Sequence, residues 1–436
     1  MRLDTLVLAE HGGNRLRQAI CRLPGSLRAG LGLMMLIPAL AWGQNYVVPV
    51  GTEFPVVGTP AGEQVLPALA LSQTNSYLFW QDNSVNGGKN GSYGIGGAQL
   101  LTSTFASGPL FRVNKAAVAN RNETMPQAAL LNGGQVAVVW QGNALGTPDI
   151  YGRFLINGKW SALDLRMNTY LKDQQTEPVV AGLSDGGAVV TWSSFRQGGS
   201  YWNIYQRKYL ATGAAAWTKE QPVSVSGAKS QRSPAIASLA NGNYVVVWVA
   251  EQGRFSDSVD VYARVFTPAG AAVTGEMLVN SATNACANPA VAGLSSGGFL
   301  VAWSEKDIVA TTNSWDVWGR SFSPAGAPAA DAFLVNTYRY GDQYRPKIAS
   351  GPTGCLVVWT SVGEDGSREG VYGRFLPGGL TAAGPEFRVN TTTRNQQILP
   401  AVAWNGVDRF LVVWSSPLLA SGFDLYGQAY LLNPTP

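Results

Sequence analysis

The chain is almost without histidine: His11 is the single one in 436 residues. It has three cysteines, and only 13% of its residues are charged. Each scarcity excludes something. Without histidine outside the first dozen residues there is no Ser-His-Asp or Cys-His arrangement and no imidazole ligand for a metal. Three cysteines cannot staple a scaffold of this size. The main apolar run, Leu31–Trp42, falls short of the ~20 residues that a membrane-spanning helix needs. No stretch carries a 3.6-residue apolar period, so helix has no case and the chain reads as all-β.

Some of the scarce residues are lost with the leader. Arg2, Arg15, Arg17, Arg22 and Arg28 precede the apolar run, and Ala41 and Gly43 stand at −3 and −1 before Gln44. Residues 1–43 are therefore expected to be a secretory signal peptide, and 44–436 the mature domain. Five Arg against Asp4 and Glu10 account for +3 of the formal net charge of +4. The remainder is close to neutral, which argues against a nucleic-acid partner and leaves no membrane span in the mature chain. His11 and Cys21 go as well. Cys286 and Cys355 fall at opposite ends of neighbouring repeats, so two separate thiols are expected, not a bridge.

What is abundant is repetition. A Pro is followed 13 or 14 residues later by a Trp in seven copies: Pro67/Trp80, Pro126/Trp140, Pro178/Trp192, Pro234/Trp248, Pro289/Trp303, Pro346/Trp359 and Pro400/Trp414. A second marker follows, DIYGR at Asp149–Arg153 and its variants NIYQR, DVYAR, DVWGR, GVYGR and DLYGQ. A third closes the unit, FRVN at Phe111–Asn114 or a relative of it. Each unit reads as four strands. Strand A follows the Pro, a Gly-rich turn leads to strand B, and strand B is an apolar run ending in the Trp, as a strand buried on both faces would be. Strands C and D carry the second and third markers. The expected architecture is a seven-bladed β-propeller of four-stranded antiparallel blades. Glu53–Thr59 resembles the strand D segment Glu386–Thr392, and the last repeat lacks a strand D. The N-terminal segment is thus expected to complete the last blade and close the ring.

The pattern PAVA…GGF-VVVW…DVYGR-F…F-VN resembles a repeat common in secreted and cell-surface bacterial proteins, where it forms a propeller blade. The resemblance covers residues 53–436 and implies a fold, not an activity. A WD dipeptide series, sialidase Asp boxes and D-x-D-x-D-G calcium loops are all missing, so it transfers no catalytic residue and no cofactor.

The B–C loops vary most, and variable loops on a rigid scaffold are where recognition resides. Tyr201, Trp202, Phe255 and Trp315 are the candidate stacking residues, with Glu305, Asp307, Glu364 and Asp365 as polar partners. Glu364-Asp365-Gly366 alone is thin support for calcium, and no metal is expected. Three residues before the repeat Pro stand Gln64, Glu123, Gln175, Gln231, Cys286, Gln343 and Gln397. Gln175, Gln231, Gln343 and Gln397 are candidates for a polar mouth of the channel, or each ties down its own D–A loop. The Trp and Arg markers are expected to serve the blade, the Arg by pairing with carboxylates or stacking on aromatics. The chain is thus expected not to be an enzyme but a secreted, monomeric module, periplasmic or at the cell surface, that binds an extracellular glycan or protein. A structural or assembly module and a polysaccharide-acting enzyme using loop carboxylates are the alternatives.

Overall fold

The computed structural model describes residues 46–84, 92–115, 122–143, 146–199, 201–225, 229–252, 254, 258–306, 314–379, 384–418 and 422–433. Its compact unit spans Gly43–Pro436. The fold is all-β in a propeller arrangement, and no helix among the described residues is long and apolar enough to cross a membrane.

Within each repeat the strands pair antiparallel in the order A, B, C, D. Repeat 6 is representative: Gln343–Gly351, Gly354–Val362, Glu369–Pro377 and Glu386–Arg388. The B strands are buried along almost their whole length, as Val245–Trp248 show with no exposed surface. The strands form six sheets, not seven separate ones. Five sheets each hold one repeat. The sixth joins repeats 4 and 5 through a single parallel bridge, Val259 to Ala285. The expected count of seven four-stranded blades is corrected on that point, since five sheets each hold one repeat and repeats 4 and 5 share an eight-stranded sheet. The seven A strands nevertheless pack side by side in chain order, and Ile398–Trp404 of the last lies against Gln64–Leu71 of the first.

The spacing of Pro and Trp has a physical cause. In every repeat the A–B register skips opposite the Trp, so that two residues of strand A face one of strand B. The Pro is one of the two. The other, just before it, has a left-handed backbone: Leu66, Met125, Glu177, Ser233, Asn288, Arg345 and Leu399 all have φ between 50° and 58°. Strand A is the edge of its sheet in every repeat but the fifth, where a single bridge at Ala285 touches it away from the Pro, and a bulge on an edge strand is one of the few places where a sheet tolerates Pro.

The Arg of the second marker bonds backbone carbonyls as well as stacking on aromatics, and Arg153 also stands 4.0 Å from a carboxylate, Asp164 of its own repeat. Arg207 donates to Met167 O at 2.9 Å, Arg264 to Val223 O at 2.9 Å, Arg320 to Val279 O at 2.9 Å and Arg374 to Val335 O at 2.8 Å. Each acceptor belongs to the preceding repeat. The same Arg residues stack on aromatics of their own repeat, as Arg264 does on Phe266 and Arg320 on Phe322. A second latch runs the same way. A carboxylate just before strand D accepts backbone N–H groups of the preceding repeat: Glu220 from Tyr170 at 2.7 Å, Glu276 from Val225 at 2.6 Å, Asp164 from Lys115 at 2.9 Å.

The ring closes by this same chemistry. Val47–Pro55 pairs antiparallel with Gly422–Leu432 as the outer strand of the last sheet. From it Glu53 accepts the N–H groups of Thr391 and Thr392 at 2.6 and 3.1 Å. Cys286 and Cys355 are buried free thiols, as expected.

Deleting residues 44–60 removes a strand and a latch together and is expected to lower the thermal midpoint by more than 10 °C, the effect of losing several kcal/mol in a domain of this size. Arg320→Ala removes one staple and should cost about 1.5–3 kcal/mol in denaturant unfolding. An unchanged midpoint on deletion would show that the ring does not depend on its N-terminal strand.

Candidate functional site on the B–C loop face

The B–C and D–A loops share one face. Where repeats 5 and 6 meet on it, Thr337–Asp342 of the D–A loop lies beside the B–C loop around Glu364. Tyr340 is the most exposed large hydrophobic side chain among the described residues, at 77%, and its ring meets that of half-buried Tyr338 edge-on at 5.7 Å. Arg339 between them reaches Asp316 at 3.1 Å, and the Trp315 N–H donates to Asp342 at 3.1 Å. The loop is held from below by Gln343, whose amide donates to the Tyr340 carbonyl at 3.0 Å. Sequence reading missed Tyr338 and Tyr340. The Tyr-Arg-Tyr run inside a loop rich in polar residues was the available signal.

Beside them lies a pair of carboxyl groups. Ser361 Oγ donates to Glu364 at 2.6 Å. Glu386 accepts the N–H and hydroxyl of Thr337 on one oxygen, while its other oxygen is buried and meets no N–H donor. The Glu364 carboxyl lies close enough to Glu386 to interact with it, and a proton on Glu364 would satisfy that oxygen. Desolvation of Glu364, with the Glu386 and Asp365 charges adding to it, pushes its carboxyl up to about 8. Repeat 3 contains the uncharged counterpart. There Gln197 accepts from Ser194 at 2.7 Å and donates its amide to Glu220 at 3.0 Å. Glu364 can make the same two contacts only as the neutral acid.

The arrangement can present a proton at neutral pH beside exposed aromatic faces.

The other sequence candidates are dispersed. Exposed Tyr201 and half-buried Trp202 lie on repeat 3, where Trp202 packs on Phe195 at 5.0 Å and Arg196 covers the same ring. Phe255 and Asp307 fall outside the described residues. Glu305 is buried and does not face solvent: it accepts the Trp303 indole N–H at 2.7 Å and the Asn284 amide at 2.9 Å. Asp365 accepts the Ser367 N–H at 3.0 Å. Gln175, Gln231, Gln343 and Gln397 do not form an open mouth. All four are buried, and Gln175, Gln343 and Gln397 donate to carbonyls of their own D–A loops. A Trp indole next to a bulged strand leaves that position facing inward, which sequence spacing does not report.

No family model matches the chain, and no curated protein matches it. Solved structures do. An ulvan lyase of polysaccharide lyase family PL25, bound to -[GlcA(1-4)Rha3S]-, is 12% identical with a TM-score of 0.58, covering 89% of this chain and 96% of that one. An α-L-arabinanase of Penicillium chrysogenum, complexed with arabinobiose, is 11% identical with a TM-score of 0.51, covering 88% and 99%. A protein of unknown function from Dyadobacter fermentans is 10% identical with a TM-score of 0.51, covering 89% and 100%. At such identities the likeness is one of fold. It still overturns the expectation that the chain is not an enzyme. That expectation rested on the lack of histidine, and this propeller arrangement carries a polysaccharide lyase and an arabinanase.

Glu364→Gln should reproduce the amide that Gln197 supplies. An unfolded Glu titrates near ~4.3, and folded Glu364 near about 8. Between those values the folded chain holds the extra proton, so the parent loses stability as pH rises and then levels off. The variant lacks that slope. Its thermal midpoint is expected to match the parent near pH 5 and to exceed it by about 2–4 °C at pH 9, solvent screening keeping the gap small. Parallel midpoints across the range would show Glu364 ionised throughout.

Proposed function

We propose that this chain acts on a polysaccharide, which it holds on Tyr338 and Tyr340 and cleaves with a proton delivered from Glu364. The observation that carries the reading is the half-buried Glu364 carboxyl, set against Glu386 and beside the most exposed aromatic of the described face, with desolvation raising its pKa. Hydrolysis and elimination both expel a glycosidic oxygen that must gain a proton, and an acid with a pKa near the working pH serves either. Aromatic faces stack on the apolar faces of sugar rings while neighbouring polar groups fix orientation. The fold neighbours that act on ulvan and arabinan support the substrate class by analogy.

Residues 1–43 would then export the protein to the periplasm or the cell surface, where such polymers lie. The seven A strands are counted as seven blades, the eight-stranded sheet being two of them, and the mature chain works as a monomer. Binding without cleavage is the second reading, favoured by Gln197: the same bridge in repeat 3 holds a loop without any acid.

The test is a panel of neutral and acidic polysaccharides incubated with residues 44–436, read by new reducing ends and by absorbance of an unsaturated product. Glu364→Gln should lower turnover by about 10²–10⁴-fold while melting like the parent near pH 5, and Tyr340→Ala should mainly raise KM. A Glu364→Gln enzyme as fast as the parent would remove Glu364 from the chemistry. Binding without new ends on any polymer would leave the module reading.

A further inference from the structure

The axial side of the A strands carries a second feature, independent of the Glu364 site. Lys347 sits mid-way along Gln343–Gly351 and is exposed to solvent. The outer edge of this strand is taken by Gly354–Val362, and its flanks are packed against the A strands of repeats 5 and 7. A mid-strand side chain with those three sides occupied opens on the ring's centre. Solvent reaches the Lys347 ammonium, yet the protein crowded around it, together with the Arg345 charge, pulls it below the usual lysine range. Both facts describe a cation in a confined aqueous channel.

Arg345, two residues before, is also exposed. It occupies the left-handed bulge position at φ 55°, its N–H held by Ser304 Oγ of the preceding repeat at 3.1 Å. Among the described residues no carboxylate lies within ion-pair distance of Arg345 or Lys347. The nearest acid in the bulge series, Glu177 on repeat 3, is engaged by Ser193 at 2.9 Å and by Ser233 N–H at 2.8 Å.

The other repeats show what the ring does without these charges. At the Lys347 position they carry Ala68, Gln127, Val179, Ala235, Ala290 and Ala401. Two like charges on one strand, without a counter-charge, cost stability in a confined space. No blade needs them, since six form without a cation there.

We propose that the axial channel is an oxyanion site in which Arg345 and Lys347 bind a carboxylate or sulfate, with Asn288 at the same register on the next strand as a hydrogen-bonding neighbour. Guanidinium supplies a planar fork and ammonium a point charge, and together they suit an oxyanion. The anion can be a free ion or the acidic group of a sugar.

The double variant Arg345→Asn/Lys347→Ala gives repeat 6 the residues that repeat 5 already carries at these two positions, Asn288 and Ala290, so the fold is expected to survive. Thermal midpoints and calorimetric titrations of residues 44–436 with sodium sulfate, sodium glucuronate and glucose, at constant ionic strength in chloride, read the site. The parent should bind sulfate or glucuronate and ignore glucose. The double variant should bind at least tenfold more weakly and should melt higher than the parent in the absence of anion. Tighter binding of glucuronate places the anion on a sugar, and tighter binding of sulfate makes it a free oxyanion. A parent indifferent to both anions, or a double variant that binds like the parent, overturns the proposal. Glu364→Gln should keep the anion response, so failure at the loop-face site and failure here are read separately.

Discussion

The structure depends on the bulge in which a left-handed residue and a Pro on strand A face a single Trp on strand B. A left-handed non-glycine residue costs about 1–2 kcal/mol. A Trp side chain taken fully out of water contributes about 4–5 kcal/mol. Burial wins in each repeat, and the seven Trp side chains are at most 1% exposed. The bulge also limits pairing along the inner edge of each sheet, because Pro offers no N–H there, and the single Val259 to Ala285 bridge lies beyond it. What joins the repeats is then left to side chains, the Arg staples and carboxylate latches that each reach back to the repeat before. A chain built this way has to finish where it began, and Glu53 on the N-terminal strand supplies the last latch.

Much of this was legible because it repeats. The Pro-to-Trp spacing reports the bulge, and the likeness of Glu53–Thr59 to a strand D reports the closure. Spacing does not report direction, so the glutamines three residues before each Pro read as a channel mouth although they point into the blade. The Arg residues likewise read as ion-pair formers, because a carbonyl acceptor leaves no trace in side-chain composition. Tyr338 and Tyr340 sit in a D–A loop, whereas loop variability in the sequence points to the B–C loops. The Glu364 pKa is raised first by burial and then by Glu386, 22 positions away in the chain, and only the fold brings both about.

The lack of histidine misled for a physical reason. Imidazole is one way to hold a proton near neutral pH, because its ordinary pKa lies there. A carboxyl reaches the same range when burial and a second carboxylate disfavour its charge. Composition counts the residue types whose ordinary pKa suits the task. It cannot count those that the fold moves into place.

In a ring of like units, a residue found in every repeat serves the ring, and one that breaks the series has to be explained by something else. Gln197 and Glu364 make the same bridge, and the amide makes it without needing a proton. Ala290 and Lys347 occupy the same register, and the methyl group fits there without a counter-charge. In both comparisons repeat 6 carries the costlier residue. The two departures lie on one repeat, one on its loop face and one on its axial edge. Structural need does not account for either, since sister repeats stand without them, so repeat 6 is where this ring departs from scaffold.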